Sequence, residues 1–165
     1  MNGHPCPAPR RIGPEWGQSA HSFVLCIPAD PANLAFARAV VAAFAARLDF
    51  TLDEIEDVKL AVSEMVANAV IHAYPGGGGP VWVAGRVHDG ALEVVVEDRG
   101  RGIADVARAR EAGYSTLGGE HLGIGFSVAE AYMDALEVDS VPGEGTCVRM
   151  RKRPASGAAS SARPS

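Results

Sequence analysis

Three short segments constrain the fold more than any other feature of the chain, because each is useful only in its own backbone setting. EMVANAVIH at 64–72 spaces Glu64, Asn68 and His72 four residues apart, so a helix there turns all three onto one face. DRGRGI at 98–103 sets Asp98 at the end of an apolar run and follows it with Gly100 and Gly102, glycines that let backbone approach a flat ligand. LGIGFS at 122–127 puts Gly123, Ile124 and Gly125 in a glycine turn that opens a further helix, where free amides attract phosphate. A polar helix face, a strand-end acid and a glycine turn, in this order, describe an ATP site.

The segments between them supply the layers. SFVLCIPA at 22–29 reads as a strand that ends at Pro28 and Asp30. Leu34, Val41, Phe44 and Leu48 then recur at helical spacing behind an Asp30 cap and Pro31. Thr51 and Glu54 form a capping-box pattern for a second helix with Ile55, Val58, Val62, Met65, Val66 and Ala69 on its apolar side. That helix carries the Glu64, Asn68 and His72 face and ends at Tyr74-Pro75 and a run of glycines, 76–79. VWVAGRVH and ALEVVVED flank Asp89-Gly90 as a tight hairpin. ADVARARE is a short helical piece, the aperiodic stretch around GYSTLGGEHL reads as a mobile lid, 125–134 as a third helix, and ALEVDS, VPGEG and TCVRMRK as a final hairpin. The pattern predicts an α+β fold: a two-layer sandwich with a mixed, mostly antiparallel sheet and helices on one face.

With 165 residues, 47% of them hydrophobic, the chain suits one buried core. The formal charge of −5 and the lack of a basic stripe disfavour a nucleic-acid backbone as main partner. The longest apolar run, 39–46 between Arg38 and Arg47, is too short to span a membrane, and the N-terminus has no leader pattern, so a cytoplasmic location is expected. Cys6, Cys26 and Cys147 are odd in number and lack metal-type spacing, which predicts free thiols. Pro- and Gly-rich residues 1–20 and the small, polar residues 154–165 are expected to be mobile ends around a domain at 21–153.

Each candidate residue has a bland alternative. Glu64 is either a base beside a metal-bound phosphate or a solvated helix glutamate. Asn68 offers magnesium a neutral oxygen, or is an amide satisfied by backbone; Asn is a poor helix former, which favours a functional cause. His72 contacts phosphate or sits as a cation at the helix end. Asp98 can accept the exocyclic amine of adenine, although Asp-x-Gly turns are usually structural. Order and spacing make the combined signal stronger than any of its parts.

E-x-x-x-N-x-x-x-H, D-x-G-x-G-I and G-x-G-F resemble the nucleotide-binding boxes of the ATPase family shared by gyrase and the histidine kinases. FARAVVAAF, LDEIEDVKLAVSEMVANAVIHAY and GIGFSVAEAYMD extend the resemblance over about residues 21–151, most nearly to the bacterial anti-sigma factor serine kinases of the sporulation, anti-sigma-F type. The resemblance implies a histidine-kinase-like sandwich, ATP with Mg2+, a sigma factor as partner, and phosphorylation of a serine on a small anti-anti-sigma protein. It also implies a homodimer. Carried onto this chain, Glu64 is the general base, Asn68 the magnesium ligand and Asp98 the adenine-reading acid. His72, Gly100, Gly102, Ile103, Gly123, Ile124, Gly125 and Thr146 belong to the nucleotide site, and Arg38 to a partner surface. One departure is His121-Leu122, where those kinases carry an Arg-Ser before the glycine turn. An ATP-binding partner switch with little or no transfer, and a general-stress anti-sigma kinase, are the competing readings.

Overall fold

Alternation along five strands decides the architecture. In the computed structural model, which describes residues 6–18, 20–111 and 121–156, they are β1 (Ser22–Pro28), β2 (Pro80–His88), β3 (Ala91–Asp98), β4 (Ala135–Val141) and β5 (Gly145–Lys152). They lie in the order β1-β2-β3-β5-β4, and every neighbouring pair is antiparallel, so the expected mixed sheet resolves to a purely antiparallel one. Because side chains alternate between faces, Leu92, Val94 and Val96 enter the main core while Val95 joins a separate cluster with Trp82, Ala84 and Cys147 on the other face. The β2–β3 turn has Asp89 at φ 51° and Gly90 at φ 69°, the left-handed pair that a two-residue hairpin requires.

Among the described residues the α-helices cover the first face, and the outer face carries a 3-10 turn, Pro14–Gly17. α1 (Leu34–Ala45) follows a 3-10 turn, Pro31–Asn33, whose Asp30 side chain accepts the Ala32 N–H. α2 (Leu52–Asn68) starts with the full capping box: Thr51 Oγ1 accepts the Glu54 N–H at 3.2 Å and Glu54 Oε2 accepts the Thr51 N–H at 2.8 Å. α3 (Val106–Ala109) is one turn, and α4 (His121–Tyr132) packs against α2. Val41, Phe44, Val62, Met65, Val66 and Phe126 bury the helix side of the core.

The chain ends differ from expectation. Glu97, only 1% exposed, accepts the backbone N–H groups of Arg10 (2.6 Å), Arg11 (2.9 Å) and Ile12 (3.1 Å). Ile12 and Trp16 bury against Trp82 and Val95. Residues 10–17 are therefore a strap across the outer face of the sheet rather than a loose end. The strap also corrects the thiol expectation: it brings Cys6 to within 6.6 Å of Cys26 between Cα atoms, and the two form a disulfide, leaving Cys147 as the free cysteine. At the other end, Pro154 is buried and the Ala155 N–H bonds Glu54 Oε1 at 2.8 Å, so residues 154 and 155 are not the loose start of a tail; residues 157–165 lie outside the described residues. The lid expected around GYSTLGGEHL falls largely outside the described residues.

Candidate functional site

The end of α2 departs from the regular helix where the site begins. After Asn68 the backbone widens into a π turn, Ala69–Ala73, a distortion often found at functional sites. The carbonyl at its end, on Ala73, accepts the Arg101 N–H at 2.8 Å, and Arg101 O in turn accepts the Gly143 N–H at 2.8 Å. The π turn, the loop after β3 and the β4–β5 turn are thereby tied into one frame. Gly102 sits in that frame at φ +71°, and a Cβ there would run into the Val141 carbonyl, so no other residue fits comfortably.

A cavity of about 240 Å³ opens inside this frame, lined among others by Asn68, His72, Asp98, Gly102, Ile103 and Thr146. Six predicted residues from three separate segments thus share one space. Asp98, 7% exposed, uses Oδ1 to accept the Gly100 N–H at 2.9 Å and the Thr146 N–H at 3.2 Å. Oδ2 keeps its lone pairs for a donor in the cavity. Burial raises the Asp98 carboxyl to a pKa of about 6, with the two amide bonds opposing that rise. Apolar walls from Met65, Val96, Phe126 and Val148 suit a flat ring next to that acid.

At the other end of the polar face, α2 meets α4. A Cβ on Gly125 would lie 3.1 Å from Asn68 Nδ2, 3.2 Å from Asn68 Oδ1 and 3.3 Å from Glu64 Oε2. Base candidate and metal-ligand candidate therefore converge on one point above a glycine. Here the sequence expectation needs correction: Gly123 and Gly125 lie within α4, which begins at His121, rather than in a turn before a helix at 125. The role of Gly125 is close approach to α2, and its amide belongs to the helix interior. His72, at 8% exposure, is inside the cavity and not on a solvated helix end. Ile124 is 47% exposed, and Arg38 lies on the exposed side of α1 away from the cavity lining.

Several supporting groups carried no sequence signal. The Tyr74 hydroxyl donates to Pro80 O at 2.5 Å and accepts the Arg99 N–H at 2.7 Å, tying the glycine loop to the end of β3. Burial pushes that phenol up to about 12. Ser140 Oγ accepts the Ile103 N–H at 2.8 Å and lies 2.8 Å from Thr146 Oγ1, bridging two predicted residues. Arg101, already inside the DRGRGI motif, lines the cavity too.

This geometry defines a nucleotide-binding ATPase fold, and the model of the histidine kinase-like ATPase domain matches residues 27–152; the chain belongs to that family. Within it, the chain is 49% identical over 121 residues to an anti-sigma F factor of Caldanaerobacter subterraneus, spanning 73% of this chain and 85% of the relative. It is 45% identical over 122 residues to an anti-sigma F factor of Clostridium acetobutylicum, with the same shares of 73% and 85%. Among solved structures, the RsbU and RsbW domains of a Mycobacterium tuberculosis protein share the fold, with a TM-score of 0.59 at 23% identity over 80% of this chain and 32% of theirs. The mycobacterial sensor histidine kinase MprB does so with a TM-score of 0.52 at 20% identity, over 80% and 99%.

The residues present fit ATP. The buried Asn68 Nδ2 has no hydrogen-bond partner, an orphaned donor that a phosphate oxygen would satisfy. Asp98 offers an acceptor in the same cavity, among apolar walls. Among the described residues no group of three His, Cys, Asp or Glu stands ready for a metal.

Proposed function

We propose that the protein is an anti-sigma factor that binds and sequesters a sporulation-type sigma factor, and that it is also an ATP-dependent serine kinase. Its substrate is a small anti-anti-sigma antagonist, which phosphorylation inactivates. The observation that carries this reading is the convergence of Glu64 and Asn68 within 3.3 Å of one point above Gly125, with Asn68 also lining the cavity that holds Asp98. Likeness to anti-sigma F factors supports the choice of partners.

ATP, when bound with Mg2+, would supply the transferable phosphoryl group, with ADP as the leaving group. Glu64 takes the proton from the attacking serine hydroxyl. Asn68 would hold the cation. Asp98 accepts the adenine amine while the Thr146 and Gly100 amides keep its carboxylate oriented. His72 lines the cavity and would meet the nucleotide, and Arg38, exposed on α1, would belong to the surface met by the partners. A homodimer in the cytoplasm, with two equivalent partner surfaces, completes the proposal.

The test is transfer of labelled γ-phosphate to anti-anti-sigma proteins of the host, each beside its acceptor serine→Ala variant. Label on a serine, with release of the sigma factor by the unphosphorylated antagonist, supports the kinase. ATP binding with sigma capture but no transfer would replace it by the partner-switch reading. Neither binding nor capture by folded protein would refute both.

A further inference from the structure

The outer face of the sheet carries a second cavity of about 240 Å³, between the strap and strands β2, β3 and β5. Its charged lining follows from register. Arg86, Glu93 and Arg151 stand side by side on three adjacent strands, and Arg149, two residues before Arg151 on the same face of β5, pairs with Val95. Trp16, delivered by the strap, closes one side, with the Arg86 guanidinium 4.3 Å above its ring.

The cations here outnumber their partners. Glu93 bonds Arg86 Nε at 2.6 Å. Arg149 Nη2 donates to the Arg11 carbonyl at 2.7 Å, and its register partner Glu137 is solvent-exposed. Arg151 is different: its Nε and Nη2 are both buried and have no hydrogen-bond partner. Those two N–H groups form one edge of the guanidinium fork, parallel donors spaced for two oxygens of one anion. Leaving both unpaired costs more than a neutral orphan would, because the group is charged.

We propose that this cavity binds an oxyanion, the phosphoryl or carboxyl group of a small ligand, on the Nε/Nη2 edge of Arg151 with Arg149 nearby. The site is built only when the strap is docked, which gives the N-terminal segment a function separate from the ATP cavity on the opposite face.

The test is thermal unfolding and calorimetric titration of the full chain with inorganic phosphate and, separately, with acetate, at constant ionic strength set by chloride. Measurements are made with Mg-ATP saturating so that the inner cavity is blocked. A stabilisation of about 3 °C at an anion concentration well above Kd is expected, lost in Arg151→Met. Response to phosphate alone assigns a phosphoryl ligand, and response to acetate a carboxylate. No response of the wild type to either, or an equal response in Arg151→Met, overturns the proposal. Should Arg151→Met fail to fold by circular dichroism, Arg149→Met carries the same comparison: at least a several-fold weaker anion response is expected, and an unchanged one is contrary.

Discussion

The two cavities have the same volume, about 240 Å³, on opposite faces of one sheet, and their chemistry is opposed. The helix-side cavity is walled by Met65, Val96, Phe126 and Val148 and holds one deeply buried carboxylate, Asp98. The outer cavity is walled by guanidinium groups from Arg86, Arg149 and Arg151. Apolar walls make a single acid selective, because a ligand donor meeting it has no water to compete with. Charged walls select by charge balance and are less particular about ligand shape. The lesson is that one antiparallel sheet, through the alternation of its side chains, presents two unrelated recognition surfaces from the same strands.

The sharpest separation between them is chemical. Glu64→Ala should lower phosphotransfer by about 100- to 10,000-fold, the usual range for removing a general base. ATP affinity should hold within a few-fold, and the outer-face response to phosphate should not move. Retained transfer in single-turnover labelling would take Glu64 out of the base role.

Next in size is Asp98→Asn. Asparagine keeps an Oδ1 acceptor for the Gly100 and Thr146 amides, so the frame survives, yet it loses the charge proposed to meet the adenine amine. Mg-ATP affinity should fall about 10- to 100-fold, the worth of one charge-assisted hydrogen bond, with discrimination against Mg-GTP reduced. Acidity offers the same comparison without a mutation. The folded pKa of about 6 is raised above the ordinary carboxyl value of 3.8. The protonated acid is therefore favoured by folding: this stabilisation is full below pH 3.8 and is lost as pH rises through about 6. Unfolding free energy should fall across that window by about 2–3 kcal/mol, while ATP affinity should rise with the carboxylate. Asp98→Asn should flatten both trends; trends that persist in the variant would assign them to another group.

How legible each cavity was follows from the range of its contacts. The elements of the inner one are local: the capping box at Thr51 and Glu54, the Asp89-Gly90 turn and the 91–98 strand formed as their spacing predicts. The motifs named Asn68 and Asp98 and the family resemblance named Thr146, which the fold then brought together. The π turn at Ala69–Ala73 was not legible, since it depends on the Ala73 carbonyl meeting the Arg101 amide. The outer cavity was invisible for the same reason on a larger scale. Pro- and Gly-rich residues show no period, and Arg10, Arg11 and Ile12 find their acceptor on Glu97, far along the chain. The Cys6–Cys26 bond depends on that same docking.

Glu97→Gln tests whether the strap and the outer cavity stand or fall together. The carboxylate accepts three N–H groups, and an amide can match only its oxygen while turning a donor towards the others. A cost of about 1–3 kcal/mol is expected, seen as a Tm lower by about 5 °C and faster hydrogen exchange at Arg10 to Ile12. The phosphate response of the outer face should fall with it, and Mg-ATP binding should stay unchanged. A loss of ATP affinity would show that the two faces are coupled through β3 and are not independent surfaces.

The smallest effect expected is at Gly125, and it measures how tightly α4 must sit on α2. An added methyl would lie 3.1–3.3 Å from Asn68 and Glu64, closer than ordinary contact, yet all three atoms belong to side chains that can shift by a few tenths of an ångström. Stability should therefore change by less than about 1 kcal/mol, because alanine also favours the helix over glycine. The displaced groups are the proposed base and metal ligand, so function should suffer more than folding: a several-fold loss in kcat with ATP affinity and outer-face anion binding both held. Unchanged kcat would mean that Glu64 and Asn68 do not act from the positions they occupy beside Gly125.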